Sequence, residues 1–416
     1  MKTIALIFSI IIIGNFCFAQ QSYTLSGVVK DKQGEPLPGV AIYVSDYKLA
    51  TATDNQGKYV LKLKPGNYTI LVQLIGFKST DKAISIEDKD VRADILLTES
   101  STQLAEVTIK PDPNRMAYLN TFKAYFIGLT DNADRCKILN SELIRFDYDS
   151  EKRILNATTD DFLIIENQAL GYKIKFLVKE FQYDYRAGIV FYEGFPHYED
   201  LPGNAAKKEK WEKKRIEAYN GSSQHFFSAL FNNRTKEEGF IINKLIRNEA
   251  QESLADSIAQ SQESGFTART LTLPGATTFN QPKKTVAKGK LEKLSLGHNV
   301  AMLNRREIST DTLVHWYNDD IRRINFTNVL YVIYTKEKES SSYLSRVRMS
   351  INRPSDLGRA QISLINLRGG SVFFYKNGGI NNARSMINEG YWAWEKVADS
   401  VPMDYLPPLN VETKLK

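Results

Sequence analysis

The sequence predicts a mainly β protein with α+β character: an N-terminal antiparallel β-sandwich, then a larger β-rich α+β region. Three observations predict it. Between Tyr23 and Thr98 apolar residues alternate with period two between strong turns. Beyond that stretch, alternating segments are interleaved with helical spacings, as at Met116, Leu119, Phe122, Phe126 and Leu129. The length, 416 residues, is two or three domains' worth at about 150 residues each. Apolar residues at 42% and charged residues at 25% make a normal globular balance and exclude wholesale disorder.

The chain opens with Lys2, an apolar run from Ile4 to Ile13, and Cys17-Phe18-Ala19. This is the layout of a secretory signal peptide over residues 1–19, cut before Gln20. The run is shorter than the roughly 20 residues of a membrane span. Phe16 before Cys17 argues against lipidation there. The expected location is the periplasm or the periphery of an outer membrane. Removal of the signal leaves Cys136, the second of two cysteines, read as a buried free thiol.

Residues 20–98 form the predicted sandwich. Tyr59, Leu61 and Leu63 share one face against Lys58, Lys62 and Lys64. Tyr68, Ile70, Val72 and Leu74 form a second face, and Val91, Ala93, Ile95 and Leu97 a third. The turns are Asp31 to Pro36, Asp54-Asn55-Gln56-Gly57 and Lys64-Pro65-Gly66-Asn67, rich in residues that supply turn dihedrals. Residues 99–115, with Pro111 and Pro113, read as a linker. In 116–416 the sequence predicts an amphipathic helix from Asn114, strands between Arg153 and Phe195, and a helix over Lys207 to Arg215 ending at Asn220-Gly221. It then predicts a helix capped by Ser222 or Ser223, a polar excursion over about 247–295, and strands at Val329–Tyr334, Ala360–Leu367 and Ser371–Tyr375.

The residues Ser26-Gly27-Val28-Val29-Lys30-Asp31, Gly34-Glu35-Pro36-Leu37-Pro38-Gly39-Val40, Ala52-Thr53-Asp54 with Gly57-Lys58-Tyr59, and Ile75-Gly76-Phe77 resemble the carboxypeptidase regulatory-like domain. The resemblance implies a transthyretin-like sandwich, with no peptidase activity, of the kind found on exported Bacteroidetes proteins including TonB-dependent receptors. Leu104 to Ile109 is similar to the segment that follows it in those receptors. Their plug and barrel would need several hundred further residues, so a transporter is not expected. Gly171-Tyr172-Lys173-Ile174, Arg215 to Gly221 with His225-Phe226, Glu237 to Phe240, and Gly390-Tyr391-Trp392 with Asp404-Tyr405 resemble an uncharacterised region that follows the same domain in a Bacteroidetes group. That resemblance carries no activity.

Chemical motifs are sparse. His197, His225, His298 and His315 form no metal-binding pair at helical spacing, and no nucleophile elbow or phosphate loop occurs. No metal and no cofactor is expected. Lys207, Lys208, Lys210, Lys213, Lys214 and Arg215 could meet an anionic membrane surface, although Glu209 and Glu212 interrupt the run and favour a solvated helix face. Tyr391, Trp392, Trp394 and Tyr405 could form a sugar-stacking platform, although core packing is the commoner fate of such residues. Glu193, Glu237-Glu238 and Asp319-Asp320 are carboxylates that the fold could pair. Residues 20–110 balance 11 basic with 11 acidic residues, so the net charge of +7 lies almost wholly beyond them. The functional expectation is a non-catalytic binding or scaffolding protein of the cell envelope, accessory to TonB-dependent uptake. Its partners would be an envelope protein or a glycan, with peripheral contact to anionic membrane and none to nucleic acid. The alternative is an exported, glycan-directed hydrolase whose carboxylates converge only in the fold.

Overall fold

The structure, a computed structural model, describes residues 22–99, 112–247, 291–296, 299–346 and 353–408. The predicted signal, residues 100–111 of the linker, most of the polar excursion and His298 lie outside the described residues. The chain divides into two compact units, one of Met1–Ser45 with Leu49–Ala105, the other of Asp46–Lys48 with Glu106–Lys416.

The first unit is built from β1 (Tyr23–Lys30), β2 (Ala41–Val44), β3 (Ala50–Ala52), β4 (Lys58–Leu63), β5 (Gly66–Gln73), β6 (Thr80–Ile86), β7 (Val91–Arg92) and β8 (Ile95–Leu96). One sheet runs β4-β1-β7, with β8 also paired to β1, and the other runs β3-β2-β5-β6. Strict alternation in β4 buries Tyr59, Leu61 and Leu63 and exposes Lys58, Val60 and Lys62, as the period predicts. β5 departs from it: Ile70, Leu71 and Val72 are all buried. The turns are held by short acidic side chains. Asp31 accepts from the N–H groups of Gln33 and Glu35, and Asp54 from those of Gln56 and Lys58. Gly27 is required by close approach, since a Cβ there would lie 2.1 Å from the carbonyl oxygen of Ala93. That oxygen accepts from the Tyr59 hydroxyl at 2.7 Å.

The second unit begins with α1 (Arg115–Phe122), which widens into a π turn at Lys123–Ile127. Phe122 and Phe126 are fully buried, whereas Met116 and Leu129 are exposed, so the predicted apolar stripe is buried only in its middle. α1 rests on an antiparallel sheet of β9 (Cys136–Ile138), β10 (Arg145–Asp149), β11 (Ile154–Thr158), β12 (Leu163–Asn167), β13 (Tyr172–Asp184) and β14 (Ile189–Asp200). Its order is β10-β11-β13-β12-β9, with β14 on β13. Phe122 meets Phe181 at 4.8 Å and Phe126 meets Phe176 at 4.9 Å between ring centroids, joining helix and sheet.

Next come α2 (Ala205–Tyr219) and α3 (Ser223–Phe231). Asn204 caps α2 by accepting from Lys207 N–H. Asn220-Gly221 ends it as predicted, with Gly221 at φ +74°. Ser222 caps α3 through His225 N–H. The remaining strands are β15 (Phe240–Ile246), β16 (Leu291–Leu296), β17 (Asn299–Asn304), β18 (Val314–Trp316), β19 (Ile321–Ile324), β20 (Val329–Lys338), β21 (Ala360–Leu367), β22 (Val372–Tyr375) and β23 (Met386–Gly390). A six-stranded sheet runs β16-β17-β15-β20-β21-β23, and β18-β19-β22 form a small one. The unbroken apolar run Val329–Tyr334 has a direct cause. Leu330, Val332 and Tyr334 pack with Phe226 and Phe227 of α3, while Val329, Tyr331 and Ile333 fill a core on the opposite face. A strand covered on both sides cannot alternate.

The turn Asn377-Gly378-Gly379 is tighter than its sequence implies. Gly378 has φ +86°, and a Cβ on it would lie 1.9 Å from the carbonyl oxygen of Gln224. Gly370 has the same backbone angle, φ +87°, in open space. Gly378→Ala is therefore expected to lower unfolding free energy by roughly 3 kcal/mol, and Gly370→Ala by about 1 kcal/mol. Urea denaturation of both variants checks this difference.

Candidate functional site

One cleft in the larger unit gathers chemistry from elements far apart in sequence. β20 runs past its apolar stretch and presents Glu337 at its end. β21 lies antiparallel to it and brings up Gln361, opposite Tyr334. The last turns of α2 supply Lys214 and Glu217. After β23 the chain makes one helical turn, Tyr391–Trp394, and then presents Glu395 and Asp399. Thr130, Asp131 and Asn132, beyond the π turn, complete the wall. Together these residues enclose a cavity of about 340 Å³, within the size range of small-molecule sites.

Burial dominates the electrostatics. Glu337 is partly buried and its carboxyl is pushed up to about 7, chiefly by loss of water. The Gln361 side-chain amide, donating to it at 3.2 Å, pulls the other way, and Glu217 pushes it further up. Glu395 stands well above the carboxylate range because of burial, then Asp399, then Glu337. Asp399 is raised to about 6 by burial, although it accepts from Thr130 Oγ1 at 2.9 Å and Asn132 Nδ2 at 3.0 Å. Lys396 is lowered to about 8 by burial, against the pull of Asp399. The Nε1 of Trp394 and the Oε1 of Gln361 are buried and have no hydrogen-bond partner. Such atoms cost roughly 1–3 kcal/mol each if left unmet.

The structure separates the four aromatic residues read as a sugar platform, and this corrects that reading. Tyr391, Trp392 and Trp394 are all buried. Trp392 packs on Phe226 at 5.1 Å and donates its indole N–H to the carbonyl of Gly221 at 2.6 Å, so it belongs to the core. Tyr391 and Trp394 pack on Tyr343 and line the cleft. Tyr405 stands elsewhere, with its hydroxyl on Glu212 at 2.8 Å and its ring edge on Tyr219.

The basic run is divided as well. Lys207, Lys208, Lys210 and Lys213 are exposed along α2, with Lys213 paired to Glu209. Lys214 pairs with Glu217. Arg215 corrects the expectation of surface contact. Its guanidinium stacks on Tyr172 at 3.9 Å and donates to the carbonyls of Leu170 and Gly171 and to Asp200. It turns inward because a planar cation can satisfy several acceptors while covering a ring.

The other candidates do not line the cleft. His225 Nδ1 accepts from Gly221 N–H at 3.0 Å and its Nε2 lies 3.5 Å from Glu238. Burial lowers its pKa to about 4, so the ring is neutral. Glu238 also pairs with Arg234, as does Glu237. Glu193 is raised by burial, beside Arg384 and Glu180, and Asp319 and Asp320 are exposed. Cys136 is a free, partly buried thiol pushed up to about 12 by burial. Among the described residues no three acidic, histidine or cysteine side chains are grouped to hold a metal ion.

The sequence does not single out Glu337, Glu395 or Asp399. Glu337 sits in a Lys-Glu-Lys-Glu run that reads as solvated surface, and the other two follow an aromatic stretch that draws attention to itself.

Two measurements check this geometry. A carboxyl with a raised folded pKa stabilises the protein least where it must ionise inside the fold. Stability contributed at Glu337 therefore falls as pH rises from about 4.5 to about 7. Glu337→Gln is expected to flatten that part of the profile and to raise Tm at pH 8, read by thermal unfolding from pH 4 to 9. Arg215→Lys is expected to cost roughly 2 kcal/mol, and Lys208→Ala under about 0.5 kcal/mol, by chemical denaturation.

The comparisons with known proteins bear on the first unit. The CarboxypepD_reg-like domain family matches residues 25–109. No curated protein matches the chain. Among solved structures, catechol 1,2-dioxygenase from Acinetobacter sp. ADP1 is similar at 11% identity over 21% of this chain and 55% of its own, with a TM-score of 0.18. The 3-chlorocatechol 1,2-dioxygenase from Rhodococcus opacus 1CP is similar at 10% identity over 20% of this chain and 61% of its own, TM-score 0.17. Chlorocatechol 1,2-dioxygenase from Pseudomonas putida is similar at 15% identity over 19% of this chain and 61% of its own, TM-score 0.17. The chain thus spans less than two thirds of each enzyme, and likeness at these scores carries no argument about activity. Residues 25–109, about a fifth of the chain, are a CarboxypepD_reg-like domain.

Proposed function

We propose that the protein is a non-catalytic binding protein of the cell envelope, in which the CarboxypepD_reg-like domain serves as a scaffold and the larger unit holds a small polar ligand in its cleft. The observation that carries the reading is the cleft itself, a cavity of about 340 Å³ lined by Glu337, Glu395 and Asp399 together with Tyr391 and Trp394. A concave site of this size that combines aromatic surface with a few polar groups is the usual form of a small-molecule pocket. The export signal read in residues 1–19 supports the envelope location, and placement beside a TonB-dependent uptake system belongs to the same reading. Affinity purification of the tagged protein from solubilised envelopes of its host tests it. Reproducible recovery of one outer-membrane protein or glycan is expected, and release into the medium with no such partner would refute it.

Glycan hydrolysis is the second reading. It is favoured by one observation, a carboxyl at Glu337 that holds its proton near neutrality beside Glu395 and Asp399. Incubation with purified envelope glycans decides between the two. The binding reading expects no new reducing ends above a Glu337→Gln control, and their appearance only with the unsubstituted protein would replace it.

A further inference from the structure

We propose that Tyr125 and Tyr183 form an oxidative modification site, at which a one-electron oxidant, such as a peroxidase with hydrogen peroxide, joins the two rings as dityrosine. Both pack in the core beneath α1, and neither lines the cleft.

Geometry comes first. Tyr125 stands in the π turn after α1 and Tyr183 near the end of β13. Their rings stack with centroids 3.9 Å apart and planes 20° from parallel. Aromatic pairs in proteins usually stand about 4.5–7 Å apart, so this contact is unusually close. The Tyr183 hydroxyl donates to that of Tyr125 at 2.7 Å. The hydroxyl ends are therefore nearer than the ring centres. The tilt closes towards the oxygens and sets the carbons ortho to them face to face. Those carbons are where two phenoxyl radicals couple.

The reaction balances. Each phenol loses one electron and its hydroxyl proton. The two radicals share their unpaired electrons in a new carbon–carbon bond, and the two ortho hydrogens then move to the oxygens and restore both rings. The two electrons and two protons released turn one hydrogen peroxide into two waters. Access comes last. Tyr125 keeps part of its surface in solvent and can be oxidised directly. Tyr183 is buried, but a row of tyrosines leads outward from it. It meets Tyr185 at 4.8 Å, Tyr185 meets Tyr148 at 5.9 Å, and Tyr148 meets the partly exposed Tyr118 at 5.7 Å between ring centroids. Rings this close pass an electron from one to the next, so an oxidant that never enters the core draws it from Tyr183 through the row.

Treatment of the full chain with hydrogen peroxide and a peroxidase, at low protein concentration, tests the inference by fluorescence and by mass spectrometry of the tryptic digest. The expected product is monomeric, emits the blue fluorescence of dityrosine and is lighter than the parent by two hydrogen atoms. Its digest yields a cross-linked peptide pair whose fragment ions place the bond on Tyr125 and Tyr183. Tyr125→Phe and, independently, Tyr183→Phe should each lower dityrosine within the chain at least tenfold. Tyr148→Phe should slow its formation at least threefold while the same two residues are joined. Far-ultraviolet circular dichroism confirms that each variant is folded. Dityrosine found only at other tyrosines, or only between chains, would overturn the site, as would Tyr125 and Tyr183 left unlinked once the oxidant is spent. Formation at the parent rate in Tyr148→Phe would overturn the role of the row.

Discussion

The larger unit depends on the backbone of one residue, Gly221. Its N–H fixes His225, its carbonyl holds the indole of Trp392, and its Cα presses so close that a Cβ would lie 2.5 Å from Gln361 and 2.6 Å from Tyr334. Five elements therefore share one peptide: the end of α2, the start of α3, β20, β21 and the turn after β23. The left-handed conformation lets α2 stop and α3 start within three residues, which brings Lys214 and Glu217 against Glu337. Bulky side chains converge there because the one place that could not tolerate bulk has none.

Against that rigid centre, the cleft stores electrostatic cost. Three carboxyls are withdrawn from water and only Asp399 is well served by donors. Residues of that kind are expensive to keep and are found where a ligand or a reaction makes use of them. The surrounding core can carry the cost, since both faces of β20 are covered and the sheet on either side is antiparallel and continuous.

The parts of the fold that were legible are those set by neighbours in sequence. Turn chemistry at Asp31 and Asp54, alternation in β4, the cap at Ser222 and the stop at Asn220-Gly221 are all local, and each is in place. β5 deviates because its second face is covered, something no local period can report. The cleft was illegible for a stronger reason. Its carboxyls sit on a strand end, a helical turn and a following loop, and Asp399 meets Thr130 across 269 residues. Arg215 was misread as surface because nothing in a lysine-rich run distinguishes the one cation that faces inward, beyond its being arginine. Tyr391, Trp392 and Trp394 followed the usual fate of bulky aromatic side chains.

The contacts of residues 397–401 carry a last consequence. Asp399 closes on Thr130 and Asn132, the carbonyl of Ala398 takes the Asn167 amide, and Ser400 meets Tyr198. The core beneath α1 is thus sealed by a segment 231 residues downstream of Asn167 and 269 residues downstream of Thr130. Such closure makes for high contact order and slow folding. Until that segment docks, the β9–β14 sheet lacks its final layer. The pace at which this core forms is in this respect set by the closing of one long loop.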